Sequence, residues 1–280
     1  MENKTLFDKY LEIEKELYPI KDFLEENREI DKYKTLYKGF ITMLSPLIFK
    51  PDILFLGINP GQGAFIENRN NNIEAPPIRL FDPKVKTELD WYKDGNARGF
   101  SENNKWHAHK WYETKQRINN RFVANMIDVL YKVSQLLFPD KISENDEEPF
   151  WFKSFGQNIM FTNLYPVATK DTKDLNKLFS YFSKEQKIFT HFGFSKPVKK
   201  WDIQRSFIRN IEKTVKLVQP KVIVCIGTQA FNDFTYTTTK KNKKVFRGEK
   251  GDFPVIGFNR SGNWSNLTKD IATAIFDNMK

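Results

Sequence analysis

Three asparagines stand where short apolar runs end, and an amide in such a place lends itself to one kind of chemistry. It carries a donor edge and an acceptor edge, holds no charge, and takes up no proton near neutral pH. The first lies in Gly57-Ile58-Asn59-Pro60-Gly61-Gln62-Gly63. Its carbonyl oxygen can hold a water molecule, while Pro60 and Gly61 let backbone amides approach a planar ligand closely. No Lys-Ser/Thr pair follows, so the segment is not a phosphate-cradling P-loop, and it misses the spacing of a dinucleotide fingerprint. Asn-Pro-Gly is also an ordinary turn signal. The second lies in Thr162-Asn163-Leu164-Tyr165-Pro166. Its two-edged amide can read the hydrogen-bonding edge of a pyrimidine, although a capping asparagine before proline has the same appearance. The third opens Asn259-Arg260-Ser261-Gly262-Asn263-Trp264-Ser265. That small polar loop offers an arginine for a phosphate and a tryptophan to wedge into a base stack, and Ser265 equally suits a helix N-cap.

The elements that must position these residues are legible as periodicities. Pro51 leads into the buried run Ile53-Leu54-Phe55-Leu56. Ile159-Met160-Phe161, Val222-Ile223-Val224-Cys225-Ile226 and Val255-Ile256-Gly257-Phe258 are three more such runs. Short apolar runs bounded by glycine or proline read as strands buried on both faces. Between them lie helical patterns. Ile118 to Phe138 is stopped by Pro139, Ile203 to Val218 turns Phe207, Ile211, Val215 and Val218 inward, and a last helix runs from Asn266 to Met279. Residues 3–47 are amphipathic, with Leu6, Tyr10, Ile13, Leu17 and Ile20 on one face. Residues 64–117 are polar, rich in Asn, Pro and Trp, and without period, which marks a long loop or insertion. The expected fold is α/β. A central, mostly parallel four-stranded sheet is flanked by helices in three layers, with an N-terminal helical extension (1–47) and an insertion (64–117), all in one domain spanning 1–280. In such sheets ligands bind beyond the carboxyl ends of the strands, where the three asparagines fall.

Composition narrows the function classes. One cysteine, Cys225, excludes an internal disulfide framework, a four-cysteine zinc site and a cysteine-ligated iron–sulfur cluster. The apolar runs are of strand length, too short to span a bilayer, and the first residues lack the apolar stretch of a signal peptide. A cytoplasmic protein without membrane association is expected. Forty-five Lys and Arg against 35 Asp and Glu leave a net charge of +10, which favours polyanionic partners without specifying one.

Together, and in this order along the chain, the three segments resemble the uracil-DNA glycosylase superfamily. Gly57-Ile58-Asn59-Pro60-Gly61 is similar to the first motif of its mismatch-specific and single-strand-selective branches. Thr162-Asn163-Leu164-Tyr165-Pro166 is similar to the segment that supplies its base-reading asparagine. Asn259-Arg260-Ser261-Gly262 resembles its final Asn/His-Pro-Ser motif, with Arg260 where the family has proline. The likeness covers roughly residues 50–63, 158–169 and 220–265. It implies a monofunctional DNA glycosylase, acting as a monomer on duplex or single-stranded DNA without metal or cofactor. Such an enzyme flips a pyrimidine nucleotide and hydrolyses its N-glycosidic bond. By the same resemblance, Asn59 holds the attacking water and Asn163 reads the Watson–Crick edge. Backbone amides near Ile58 and Gln62 face the base carbonyls, Phe81 stacks on the base (with Phe65 as second choice), and Asn259 stabilises the leaving base. The loop Arg260, Ser261, Gly262, Asn263 and Trp264 would touch DNA.

Two departures from the family bear on substrate. Asn259 replaces the histidine of many members, and a neutral amide stabilises a leaving anion less, so activity on plain uracil should be modest. Gly61 stands where strict uracil enzymes place a bulky aromatic that blocks the pyrimidine C5 position. An open C5 edge admits modified pyrimidines, among them hypermodified cytosine in phage DNA, with antiviral defence as the role. A catalytically silent DNA-binding member of the fold and a hydrolase of free nucleosides are the competing readings.

Other segments also carry residues with chemical potential. The basic run Lys240-Lys241-Asn242-Lys243-Lys244, continued by Arg247 and Lys250, is either a solvated hairpin or a DNA-backbone contact, with Lys243 and Lys244 the expected contacts. His107 and His109 have no third ligand nearby and read as loop residues, as do Trp106, Trp111 and Arg117, whose mix of aromatic and basic character also suits nucleic acid. His191 reads as a satisfied structural residue.

Overall fold

Four of the five strands in the main sheet are the apolar runs, because a strand covered on both faces has no solvent side to mark with polar residues. The computed structural model describes residues 3–40, 42, 43, 45, 47–60, 121–140, 158–239, 244–260 and 264–279. In chain order the elements are α1 (Asn3–Lys15), α2 (Tyr18–Glu26), α3 (Asp31–Lys34), β1 (Gly39–Phe40), β2 (Ile53–Gly57), α4 (Arg121–Leu137), β3 (Ile159–Asn163) and β4 (Val167–Ala168). There follow α5 (Thr172–Phe182), α6 (Gln186–His191), α7 (Lys200–Val218), β5 (Val222–Cys225), α8 (Thr228–Thr235), β6 (Val245–Lys250), β7 (Phe253–Phe258), a 3-10 turn (Trp264–Leu267) and α9 (Thr268–Met279). No helix among the described residues is long and apolar enough to cross a membrane.

The chain forms two compact units that interleave along the sequence. One comprises Met1–Leu44, Asn59–Asn104 and Asn163–Leu217; the other comprises Ser45–Ile58, Lys105–Thr162 and Val218–Lys280.

The second unit contains the sheet, in the order β3-β2-β5-β7-β6. Strand β5 runs parallel to both of its neighbours, with Ile53 opposite Val222 and Ile223 opposite Val255. The sheet is α/β and mostly parallel, as the sequence predicts, but it has five strands rather than four. The added strand, β6, runs antiparallel to β7, pairing Val245 with Phe258 and Lys250 with Phe253. Its sequence, Val-Phe-Arg-Gly-Glu-Lys, is charged because it lies at the edge, where only one side of the ladder is paired. Phe55 and Phe161 stack at 4.9 Å between centroids. Helix α4 packs on α9, and both α8 and α9 pack against the strands β5 to β7. Gly257 is glycine because the side chain of Phe231 crosses β7 there: a Cβ would sit 2.6 Å from the Phe231 Cβ.

In the first unit the predicted N-terminal helical stretch is interrupted. Leu6, Tyr10, Leu17 and Ile20 are buried as their spacing requires, while Ile13 is half-buried. Helix α1 ends before Leu17, Pro19 lies in the first turn of α2, and after α3 the chain turns into β1. Gly39, with φ of 143°, starts that strand, a conformation L residues rarely adopt. Strand β1 pairs antiparallel with β4 through Gly39–Ala168 and Phe40–Val167. Tyr165, Phe179 and Phe207 form an edge-to-face aromatic cluster, with centroids 4.8 Å (Tyr165–Phe179) and 5.6 Å (Phe179–Phe207) apart. Glu14, itself buried, accepts hydrogen bonds from Thr42 and from the Tyr18 hydroxyl. Helix α5 places Leu175, Leu178, Phe179 and Phe182 inward at the i, i+3, i+4, i+7 spacing of an amphipathic helix.

Candidate functional site

Strands β2, β5 and β7 share one direction, so Ile58, Gly227 and Asn259 follow three neighbouring carboxyl ends. The Ile226 amide donates to Leu56 O at 2.9 Å, continuing the ladder to that edge. Gly227 then turns with φ of 111°, and a Cβ built on it would lie 3.9 Å from that of Arg260. The third predicted segment therefore abuts the β5–α8 turn. The amide of Asn259 donates to Lys244 O at 2.8 Å, which joins two of the residues singled out in the sequence. Arg260 is exposed and Asn259 and Ile58 are half-buried.

Asn59, the next residue after Ile58, is held by a network within the first unit. The two hydrogens of its Nδ2 are shared among three acceptors, Pro60 O (3.0 Å), Val167 O (3.2 Å) and Thr169 Oγ1 (3.0 Å). Two of these acceptors are carbonyls, which cannot donate. The amide is therefore oriented by chemistry, since turning it over would set oxygen against oxygen. Thr169 gives its one hydroxyl hydrogen to Asp171 O at 2.8 Å and meets Asn59 through a lone pair. Its amide donates to Pro60 O at 3.3 Å. Asn59 Oδ1 accepts no hydrogen bond from the described residues and is left as a half-buried acceptor.

Asn163 presents the opposite state. It ends β3, is only 4% exposed, and its Nδ2 has no hydrogen-bond partner among the described residues. A buried amide without a partner costs about 1–3 kcal/mol, and native proteins keep few of them. All residues from Phe161 to Thr169 are buried, so the donor sits in a segment shielded from solvent. The following Asp171 caps α5: its Oδ1 accepts from the amides of Lys173 and Asp174, both at 2.9 Å. The Asp174 amide is the first cause that holds the Asp171 carboxyl below the ordinary aspartate range.

The basic run is partly committed to the protein itself. Arg247 pairs with Asp277 on α9 at 2.8 Å. Lys250 lies over the Tyr236 ring, 3.6 Å from its centroid. Lys244 is exposed. His191 meets Glu16 O at 2.7 Å through Nε2, as a satisfied structural histidine would. Cys225 is fully buried in β5, and burial pushes its thiol well above the usual range.

Of the predicted site residues, the structure ties Asn59 to the segment that Asn163 leads into, and ties Asn259 to Lys244. Gly61, Gln62, Phe65, Phe81, Lys243, Ser261, Gly262 and Asn263 lie outside the described residues, as does the side chain of Trp264, whose backbone opens the 3-10 turn. The predicted insertion at 64–117 lies outside them too. Thr169, Val167 and Asp171 are the residues that sequence reasoning missed. The one local signal was Asp171 ahead of an amphipathic run, a helix start. Nothing local ties residue 169 to residue 59. No protein-family model matches the chain, and no curated protein matches it in sequence.

Proposed function

We propose that the protein is a monofunctional DNA glycosylase of the uracil-DNA glycosylase type, which hydrolyses the N-glycosidic bond of uracil or a modified pyrimidine and leaves an abasic site. The observation that carries this reading is the buried Nδ2 of Asn163, which has no hydrogen-bond partner among the described residues. A donor kept dry and unpaired at a strand end is the group a base-reading pocket needs, because it finds its acceptor only in the ligand. A base carbonyl such as O4 of uracil supplies that acceptor, and the hydrogen bond strengthens as the departing base becomes an anion. Asn59 supports the reading from the other side of the reaction. Its nitrogen is fully engaged, so the oxygen is what it offers, and an amide oxygen can orient a water without deprotonating it. Catalysis then rests on a dissociative, oxocarbenium-like transition state in which the base leaves ahead of strong bonding to water. Asn259 and Arg260, after the parallel strand β7, would take the leaving-base and phosphate roles, and the net charge of +10 suits a polyanionic substrate.

The freedom of the Asn163 amide favours a second substrate class. Because Nδ2 has no hydrogen-bond partner among the described residues, a reversed amide loses no bond there and presents its oxygen to the exocyclic amine of cytosine, which admits cytosine derivatives, including hypermodified forms in phage DNA. The test is abasic-site formation in oligonucleotides carrying uracil, a thymine mismatch or a hydroxymethylcytosine derivative, with wild type and Asn59→Ala side by side. The expected result is release of at least one of these bases, lowered roughly a hundredfold or more by Asn59→Ala. Tight DNA binding with no release of any base would leave a silent DNA-binding member of the fold, and release confined to free nucleosides would leave a nucleoside hydrolase.

A further inference from the structure

We infer that Thr169 is a positioning residue for Asn59, the side chain that makes this asparagine present its oxygen rather than its nitrogen. The inference rests on the proposed role of Asn59 as the group that holds the attacking water. Thr169 is fully buried, and its single hydroxyl hydrogen is taken by Asp171 O at 2.8 Å. What remains for Asn59 is a lone pair, 3.0 Å from Nδ2. The hydroxyl therefore rejects the flipped amide, in which oxygen would face oxygen. The other two acceptors, Pro60 O and Val167 O, belong to the backbone, and Val167 is held by the β1–β4 ladder. Thr169 is thus the one side chain among the described residues that fixes Asn59, and it does so from 110 residues away. Its own anchor, Asp171, is tied to the first turn of α5 through the Lys173 and Asp174 amides. Orientation thereby passes from a capped helix to a threonine to the catalytic amide without any of these groups touching substrate.

The test compares Thr169→Val, which keeps the shape and removes the lone pair, with Thr169→Ser, which keeps the hydroxyl. Base release is measured under single-turnover and steady-state conditions. Hydrogen exchange of the Asn59 side-chain amide is followed by nitrogen-15 NMR in the same samples. Thr169→Val should lower kcat on the order of tenfold or more with KM little changed, as expected when a reacting group is misaligned rather than substrate binding weakened. It should also speed exchange of the Asn59 amide hydrogens, and Thr169→Ser should restore most of both. Unchanged kcat and exchange in Thr169→Val would overturn the inference, as would equal losses in both variants, which would make Thr169 a packing residue. Should the wild type release no base at all, the glycosylase reading falls on its own, and the exchange data alone decide whether Thr169 orients Asn59: faster in Val than in Ser upholds it, equal in both overturns it.

Discussion

The segment 163–171 and the β6–β7 edge (residues 244–260) are both polar enough to attract a functional reading, yet they use their polar groups in opposite ways. In the first, the asparagine and threonine are buried; one donor meets no partner among the described residues, and the amide of Asn59 is shared among three acceptors. In the second, the charges are exposed or half-buried, and two of them are spent within the protein, Arg247 on Asp277 and Lys250 on Tyr236. A dense basic run is easy to see and says little, because solvent satisfies any charge the protein leaves over. A buried amide has no such recourse and must find its partner in the protein or in a ligand.

The comparison breaks most readily at its packing. Gly257→Ala puts a Cβ against the Phe231 side chain at 2.6 Å, with the ring root rather than a flexible end in the way. It should destabilise the protein by about 1–3 kcal/mol in urea titrations; a neutral result would mean that the β6–β7 edge yields easily. Asn163→Leu sharpens the contrast. It removes the orphaned donor at similar volume, so stability should rise by up to about 1–3 kcal/mol while base release is lost. Loss of both stability and activity would instead mean that Asn163 is satisfied internally. The smallest effect belongs to the ion pair. Arg247→Ala should change stability by no more than about 0.5 kcal/mol and leave the affinity for DNA unaltered. Lys244→Glu should weaken binding and flatten its salt dependence by about one unit of slope. Equal effects of the two on DNA would show that the Asp277 pairing does not withhold Arg247.

Much of the fold was legible because buried parallel strands have a signature that needs no partner to be read: Ile53 to Leu56, Val222 to Cys225 and Val255 to Phe258 are apolar at every position but the glycine. Strand β6 was illegible for the converse reason, since an edge strand with Arg247, Glu249 and Lys250 looks like loop until its neighbour is known. Helix α5 carried a readable cap and stripe, Asp171 ahead of Leu175, Leu178 and Phe182, inside a stretch whose polar residues obscured it. At the site, the three asparagines could be singled out because strand ends can be read from sequence. The state of each amide could not, because it depends on Thr169 lying against Asn59 and on Asn163 Nδ2 meeting no acceptor among the described residues, and distances across a fold leave no periodicity.

The sole cysteine offers a use of its own. Cys225 sits in the middle strand of the sheet, and the first unit contains no cysteine. Alkylation of this thiol can proceed only when β5 is laid bare, so reagent uptake keeps time for openings that expose the middle strand of the sheet. The chain carries a built-in stopwatch in its strand-rich half.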